Sequence, residues 1–363
     1  MPMMKKHLLM NWFNRYFADP QAFILLFLLL IAFGLVFFLG NTLAPVFAGI
    51  VIAYLLDGVV ERLCRWKLPR TLVVCVVFIL FMALFLLVII GLLPLLIRQL
   101  TQLLHDLPSM LRLAQAELVK LPERFPEIIT EDQVRSLINA VGAGLAQAGQ
   151  SILGFSLASL KSLVTIIVYI VLVPLLVFFF LKDKFKITSW MKSLLPDNLA
   201  LTTKVWVEVN QQISNYVRGK VWEILILWGI TYIVFRLMGL KLALLVSFIT
   251  GISVIVPYVC VTVVYIPVGL IAYFQWGFNP ETLYILIAYS IIQIFDGNLL
   301  APVLFSEAVN IHPIAIIVAV LVFGSIWGLW GLFFAIPLAT LFQAVMRIFI
   351  YSNEVMPTKD SSI

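Results

Sequence analysis

The dominant feature of this sequence is a series of long, largely uncharged apolar runs. A helix that crosses the hydrocarbon core of a membrane needs about 20 consecutive, mostly apolar residues. Because most of the runs reach or approach that length, they predict an all-α polytopic integral membrane protein with about eight transmembrane segments. The runs lie at about 21–39, 42–56, 71–97, 152–181, 221–240, 242–274, 281–295 and 312–346.

The composition excludes the other broad classes of protein. Of the 363 residues, 63% are hydrophobic and 12% are charged, whereas a soluble domain averages about 45–50% apolar and about 25% charged residues. So little polar surface cannot coat a water-soluble particle, which excludes a soluble enzyme, a disordered regulator and a nucleic-acid binder. We therefore expect the lipid bilayer as the main partner and no nucleic acid.

Motifs for enzyme chemistry are missing from the sequence. The cysteines, Cys64, Cys75 and Cys260, form neither a disulfide framework nor a metal-binding spacing. The sequence has no HExxH, P-loop or CxxC motif. A pair of Ser156 and His312 could serve as nucleophile and base only by a coincidence of folding. We expect no enzyme activity, no metal and no cofactor.

The distribution of Lys and Arg predicts the orientation, since these residues accumulate on cytoplasmic loops. Lys5, Lys6 and Arg15 place the N-terminus in the cytoplasm, and we expect the C-terminus there too. We interpret the first run as a retained helix that is joined to the second by a tight hairpin at Gly40–Asn41–Thr42. The basic segment 182–220 is predicted to be cytoplasmic, and the charge-balanced segment 98–150 periplasmic.

These segments suggest four regions. We predict N-terminal transmembrane helices over 1–97 and a periplasmic amphipathic helical insert over 98–150. A C-terminal transmembrane transport core follows over 151–350, and a cytoplasmic tail over 351–363. In the insert, leucines recur at helical spacing, and prolines are expected to break the helix. The leucines are Leu100, Leu103, Leu104, Leu107 and Leu111, and the prolines are Pro108, Pro122 and Pro126.

The runs at 242–274 and 312–346 are too long for simple spans. As one straight helix, either would be near 50 Å, against a hydrocarbon core of about 30 Å. Each run is either a long kinked span, which gives eight crossings, or a re-entrant hairpin, which gives six crossings and two hairpins. We favour hairpins because Pro and Gly interrupt both runs. The predicted break or hinge residues there are Pro257, Gly324, Gly328 and Pro337. A simple packing role for them remains an alternative.

The densest polar cluster within an apolar region is the stretch 295–313. Ionisable groups in a membrane are costly and therefore suggest a functional site. The candidate lining residues of a substrate or ion path are Gln293, Asp296, Asn298, Glu307 and His312, and the candidate helix breaks are Gly297, Pro302 and Pro313. Broken helices commonly build mid-membrane substrate sites. An ordinary polar loop at the membrane surface is the alternative.

Five stretches give the sequence its resemblance to the AI-2E transporter family. They are LVPLLVFFFLKDK at 172–184, NQQISNYVRGKV at 210–221, VIVPY at 254–258, FDGNLLAPVLFSEAVNIHP at 295–313 and GSIWGLWGLFFAIPLATL at 324–341. The resemblance implies an inner-membrane secondary transporter that forms homo-oligomers. Some relatives export autoinducer-2 and others exchange sodium or lithium for protons.

Two functions remain as hypotheses. The resemblance favours an exporter of a small polar solute, with ion coupling as an option, in which Asp296 is the best candidate for a cation carrier. The alternative is a membrane scaffold that binds partners through segment 98–150. A scaffold needs no polar residues inside the membrane, so the cluster around Asp296 favours the transporter.

Overall fold

A computed structural model describes residues 20–119, 136, 159–193, 200–256, 259–305 and 312–351. Every regular element in this part of the chain is a helix, which confirms the all-α membrane fold. The first half contains α1 (Pro20–Cys64), α2 (Arg70–Leu87), a π-helix (Val88–Leu92), α3 (Leu93–Leu118), α4 (Ser159–Lys182) and α5 (Lys184–Ser193).

The second half begins with a long helix and ends with another. It contains α6 (Ala200–Leu237), α7 (Ala243–Ser253), α8 (Val259–Trp276), α9 (Pro280–Phe295), a second π-helix (Asp296–Leu300), α10 (Ala301–Phe305) and α11 (Pro313–Tyr351). By length and apolar composition, three described helical stretches can cross a membrane: Thr42–Cys64, Arg70–Met110 and Pro280–Phe305. A fourth would be Ile166–Lys182 together with Lys184–Trp190, which are bent by 78° from each other.

The hairpin predicted at Gly40–Asn41–Thr42 is wrong. Helix α1 continues through these residues and through Pro45, so its 45 residues extend over about 67 Å. Gly40 is buried, and a Cβ placed on it would overlap the indole of Trp327. The glycine therefore permits close contact with another helix rather than a turn. The first two apolar runs therefore belong to one continuous helix instead of two helices joined by a turn.

The break predicted at Pro108 is also wrong. Helix α3 contains Pro108 in its interior, and the amphipathic helix predicted from the leucine spacing extends to Leu118. Two of the predicted leucines, Leu100 and Leu103, pack against a buried apolar cluster. The other two prolines of that prediction, Pro122 and Pro126, lie outside the described residues.

Helices α7 and α8 form a hairpin over the first long run. The side chain of Gln275 joins its two ends: Oε1 accepts a hydrogen bond from the backbone N–H of Lys241 at 2.6 Å, and Nε2 donates to the carbonyl of Gly239 at 2.8 Å. Since α7 has only 11 residues, it rises about 16 Å, roughly half of the hydrocarbon core. The run therefore folds back instead of crossing as one helix.

The second long run also folds back, at Gly328. This residue has φ 57° and ψ −133°, which no α-helix contains. A Cβ on Gly331 would overlap the carbonyl oxygen of Phe323, so the chain returns against itself within a few residues. Ile316 before the break and Ile336 after it belong to the same apolar cluster. The two parts of α11 thus form a helical hairpin.

The chain divides into two compact units, each with its own core. One contains the described residues within Met1–Val74, Leu175–Glu223 and Gly297–Ile363, and the other those within Cys75–Pro174 and Ile224–Asp296. The first unit contains the α11 hairpin, which packs on Tyr216 and Val217. The second contains the α7–α8 hairpin, whose core includes Phe235, Ile285 and Tyr289, all fully buried.

Candidate functional site

One face of α9 and of the turn that follows it carries three polar side chains. Tyr289, Gln293 and Asp296 are separated by four and three residues, spacings that align side chains on one helix face. Tyr289 is fully buried and Asp296 is 7% exposed. Both polar atoms of the Gln293 amide are enclosed by protein. A phenol, an amide and a carboxylate therefore lie along one face, shielded from solvent.

The α7–α8 hairpin supports this face. The rings of Tyr265 and Tyr289 make an edge-to-face contact with their centroids 4.5 Å apart. The hydroxyl of Tyr265 donates to Ser290 Oγ at 3.2 Å. Thr250, which is fully buried, lies beside the hydroxyl of Tyr289. These contacts fix the position of the Tyr289 ring, one helical turn before Gln293.

Asp296 is the first residue of the π-helix that interrupts the span. A π-helix inserts an extra residue into the helical turn, leaves the local backbone hydrogen bonding irregular, and is frequent at functional sites. The next residues, Gly297 and Asn298, are exposed, as is Pro302 in α10. The structure thus places a buried carboxylate where regular helix ends.

The remaining predicted path residues lie elsewhere or outside the described part. His312 is exposed and caps α11: its carbonyl accepts from the N–H of Ala315 at 2.8 Å, and its Nδ1 accepts from the N–H of Ile314 at 3.3 Å. Pro313 is the first residue of that helix, a position where a proline loses no helical hydrogen bond. Glu307 and Pro257 lie outside the described residues.

The predicted break residues of the last run have different surroundings. Gly328 lies at the point where α11 reverses. Gly324 faces Leu332 across the hairpin. Pro337 is buried within the returning helix, and its carbonyl accepts a hydrogen bond from Thr340 Oγ1 at 2.7 Å.

Sequence reasoning missed a second buried polar face, on α6. Lys220 Nζ lies 2.5 Å from Glu223 Oε2, and each side chain is 5% exposed. Tyr216, one turn earlier on the same face, is 2% exposed, and its buried hydroxyl makes no hydrogen bond with any of the described residues. The ring of Phe305 covers this face: its centroid lies 5.1 Å from Lys220 Nζ and 5.7 Å from that of Tyr216. The spacing of Tyr216, Lys220 and Glu223 on one helix face is the signal that could have identified this site. The prediction of a basic cytoplasmic segment over 182–220 groups Lys220 with the loop cations instead.

A third polar group, the Asp57 cluster, joins the ends of three helices. Asp57 of α1 accepts hydrogen bonds from Arg70 Nη2 at 3.0 Å and from Lys184 Nζ at 2.5 Å. Lys184 also donates to Glu61 at 3.0 Å. The guanidinium of Arg70 lies 4.5 Å from the ring centre of Phe185. Burial lowers the pKa of Lys184, but its hydrogen bonds with the two carboxylates outweigh that effect, so the pKa lies above its usual value. The salt bridges of this cluster link α1, α2 and α5.

In the described part of the chain, no group of three or more His, Cys, Asp and Glu side chains could hold a metal ion. The polar face of α9 instead offers one carboxylate, one amide and hydroxyl groups. Such a set can bind a small polar molecule or a single monovalent cation by hydrogen bonds and charge.

Comparison with known proteins places the sequence of this chain in a family. The profile of AI-2E family transporters matches residues 25–350. "Putative permease PerM" of Escherichia coli (strain K12) is 43% identical over 340 residues, which cover 94% of this chain and 96% of that protein. "Putative transport protein YueF" of Bacillus subtilis (strain 168) is 27% identical over 300 residues, covering 81% and 80% of the two chains. "Putative transport protein YrrI" of the same organism is 27% identical over 319 residues, or 84% and 86%. This chain belongs to the AI-2E transporter family.

Proposed function

We propose that this protein is a secondary transporter of the bacterial inner membrane that exports a small polar solute. The observation that carries the proposal is the buried carboxylate of Asp296 at the start of a π-helix, on one face with Gln293 and Tyr289. A carboxylate is expensive to bury inside a membrane, and residues of this kind mark substrate or ion pathways. The sequence has no ATP-binding motif that would suggest a primary pump.

The proposed path uses the residues of the 293–313 region. Asp296 would carry a coupling cation, because its carboxylate can bind a proton or a metal cation and so lose its net charge. Gln293 and Asn298 would supply hydrogen bonds to the solute, and Glu307 and His312 would line the path further along. Breaks at Pro257, Gly297, Pro302 and Pro313 would provide the backbone groups that such sites use. We also propose a homo-oligomer as the working assembly.

The test is solute flux in vesicles that contain the purified protein. The panel should include sodium, lithium, protons followed with an internal pH dye, amino acids, sugars and small polyols. Once a transported compound is found, Asp296→Asn should reduce flux to the level of empty vesicles, because it removes the charge and keeps the size. Asp183→Asn is a matched control, since this carboxylate contacts only the exposed Lys186 in the described ion pairs, and it should transport normally.

Two outcomes would contradict the proposal. Full transport by a folded Asp296→Asn protein would eliminate this carboxylate as the cation carrier. Inactivity of the folded wild-type protein across the whole panel would favour the scaffold function instead. Monodispersity on size-exclusion chromatography and helical circular dichroism establish that each variant is folded.

A further inference from the structure

A cavity of about 230 Å³ lies at the base of the α7–α8 hairpin. Its walls come from α3 on one side and from the two ends of the hairpin on the other. Its polar lining includes Gln102, Asp106, Ser109 and Lys241, while Phe274 and neighbouring aliphatic side chains supply the apolar part. A site for a drug-sized ligand usually has about 300–1,000 Å³, so this cavity suits a smaller group.

Hydrogen bonds hold both walls in place. Gln275 joins the hairpin ends through Gly239 and Lys241, as described above. On the other side, Gln99 Oε1 accepts a hydrogen bond from the N–H of Leu245 at 2.8 Å, which fixes α3 against the start of α7. The cavity is therefore formed before any ligand binds, which lowers the entropic cost of binding.

The two walls carry opposite charges. Lys241 projects from the hairpin end and makes no ion pair with any residue in the described ranges. The side chain of Asp106 on α3 is 42% exposed, and its Oδ1 lies 3.5 Å from Nδ1 of His105, an imidazole that is 90% exposed and pairs with the carboxylate only when it is protonated. A ligand with a negative and a positive group could thus satisfy both charges at once.

The aromatic residues near the cavity indicate its depth in the membrane. Phe274 lines the cavity, and Tyr273, Trp276 and Phe278 are its close neighbours in sequence. The ring centroids of Tyr273 and Phe278 are 4.8 Å apart, and Phe278 is 85% exposed. Clusters of Trp and Tyr are enriched at the membrane–water interface. These aromatic residues favour a position of the cavity at the depth of lipid headgroups.

We propose that this cavity binds the headgroup of a zwitterionic phospholipid, with phosphoethanolamine as the fitting chemistry. Lys241 binds the phosphate, and Asp106 binds the primary ammonium group. Ser109 and Gln102 add hydrogen bonds, and Phe274 contacts the start of the acyl chains. An anionic headgroup without an ammonium group would leave Asp106 next to negative charge, so the site discriminates between the two classes of lipid.

Native mass spectrometry can count the lipids retained on the delipidated protein after incubation with equal amounts of phosphatidylethanolamine and phosphatidylglycerol. Wild-type protein should retain phosphatidylethanolamine with about tenfold preference, the usual effect of hydrogen bonds to charged groups. Lys241→Met and Asp106→Asn should each remove most of that preference. Lys241→Arg keeps the positive charge and should keep the preference.

Arg112→Met is the matched control, because Arg112 is an exposed cation on the same helix that does not line the cavity. It should behave as the wild type. Equal retention of the two lipids by the wild type, or unchanged preference in both the Lys241→Met and Asp106→Asn proteins, would overturn the proposal. A preference for phosphatidylglycerol would replace it with an anionic-lipid site at Lys241. The readout does not involve transport, so its failure leaves the proposed function untouched.

Discussion

The ammonium of Lys220 lies 2.5 Å from the carboxylate of Glu223, on one helix and almost completely buried. Because both residues belong to α6, their ion pair does not tie two helices together. Burying two charges costs several kcal/mol per ion in a real protein, and a close partner repays only part of this cost. The ion pair between Lys220 and Glu223 therefore adds little to the free energy of unfolding. We infer that the pair has a role in transport.

Single and double variants of Lys220 and Glu223 distinguish a role in stability from a role in transport. Lys220→Met or Glu223→Gln alone should lower the free energy of unfolding by about 3–5 kcal/mol, because one charge stays buried without its partner. The double variant Lys220→Met with Glu223→Leu should recover most of that stability, since apolar residues can replace a buried pair without loss. Thermal unfolding in detergent measures the effect.

Transport by the double variant then decides the function. If the pair takes part in transport, the double variant should be stable and inactive. Wild-type flux by the stable double variant would show that the pair is structural only. Unchanged stability in both single variants would contradict the burial of the pair itself.

Gly328 of the α11 hairpin should be sensitive to substitution because of its backbone conformation alone. Its φ of 57° and ψ of −133° belong to a region that side chains with a Cβ rarely adopt. Gly328→Ala should therefore destabilise the protein by about 1–3 kcal/mol, although open space surrounds the position. Gly229→Ala is the matched control, because Gly229 also has open space but lies within the regular helix α6. The control should be neutral or stabilising, and equal losses in both variants would contradict this explanation.

The hairpin geometry makes a prediction about sidedness. Since Gln275 holds the two ends of the α7–α8 hairpin together, position 279 should face the same side of the membrane as the start of α7. A cysteine at Asn279 and one at Gln115 should both react with an impermeant reagent added from outside, whereas one at Ser193 should not. Cys64, Cys75 and Cys260 are first replaced by Ala or Ser. Labelling of Asn279 from the cytoplasmic side alone would contradict the orientation.

The Asp57 cluster predicts a pH dependence of stability. The pKa of Lys184 is raised above its ordinary value of 10.5, so the folded state binds the proton more tightly than the unfolded state. The contribution of Lys184 is then fully present below pH 10.5 and is lost as the pH rises through the raised pKa. The difference in melting temperature between wild type and Lys184→Met should be constant at neutral pH and shrink in strong alkali. A difference in melting temperature that grows with pH would contradict a raised pKa of Lys184 in the folded state.

Several features of the fold could be predicted from the sequence because they depend on composition and local pattern. The apolar runs specify membrane helices, and the leucine spacing specifies the amphipathic part of α3. Pro and Gly in the long runs favoured the hairpins that α7–α8 and α11 form. Local pattern failed at Gly40 and Pro108, where a turn signal lies inside a continuous helix. At Gly40 the reason is tertiary, since the missing side chain makes room for Trp327.

The candidate site, like the fold, depends partly on local sequence pattern and partly on tertiary packing. The sequence by itself determined that Asp296 is a costly carboxylate in an apolar region, because charge in a membrane requires a special reason. Only the tertiary structure decided that Thr250 and Gln293 lie beside the buried Tyr289, and that Phe305 covers Lys220 and Tyr216. Helical spacing shows which side chains share a face, but burial depends on what packs against that face. Those partners come from distant parts of the chain, and their arrangement is set by packing over the whole fold.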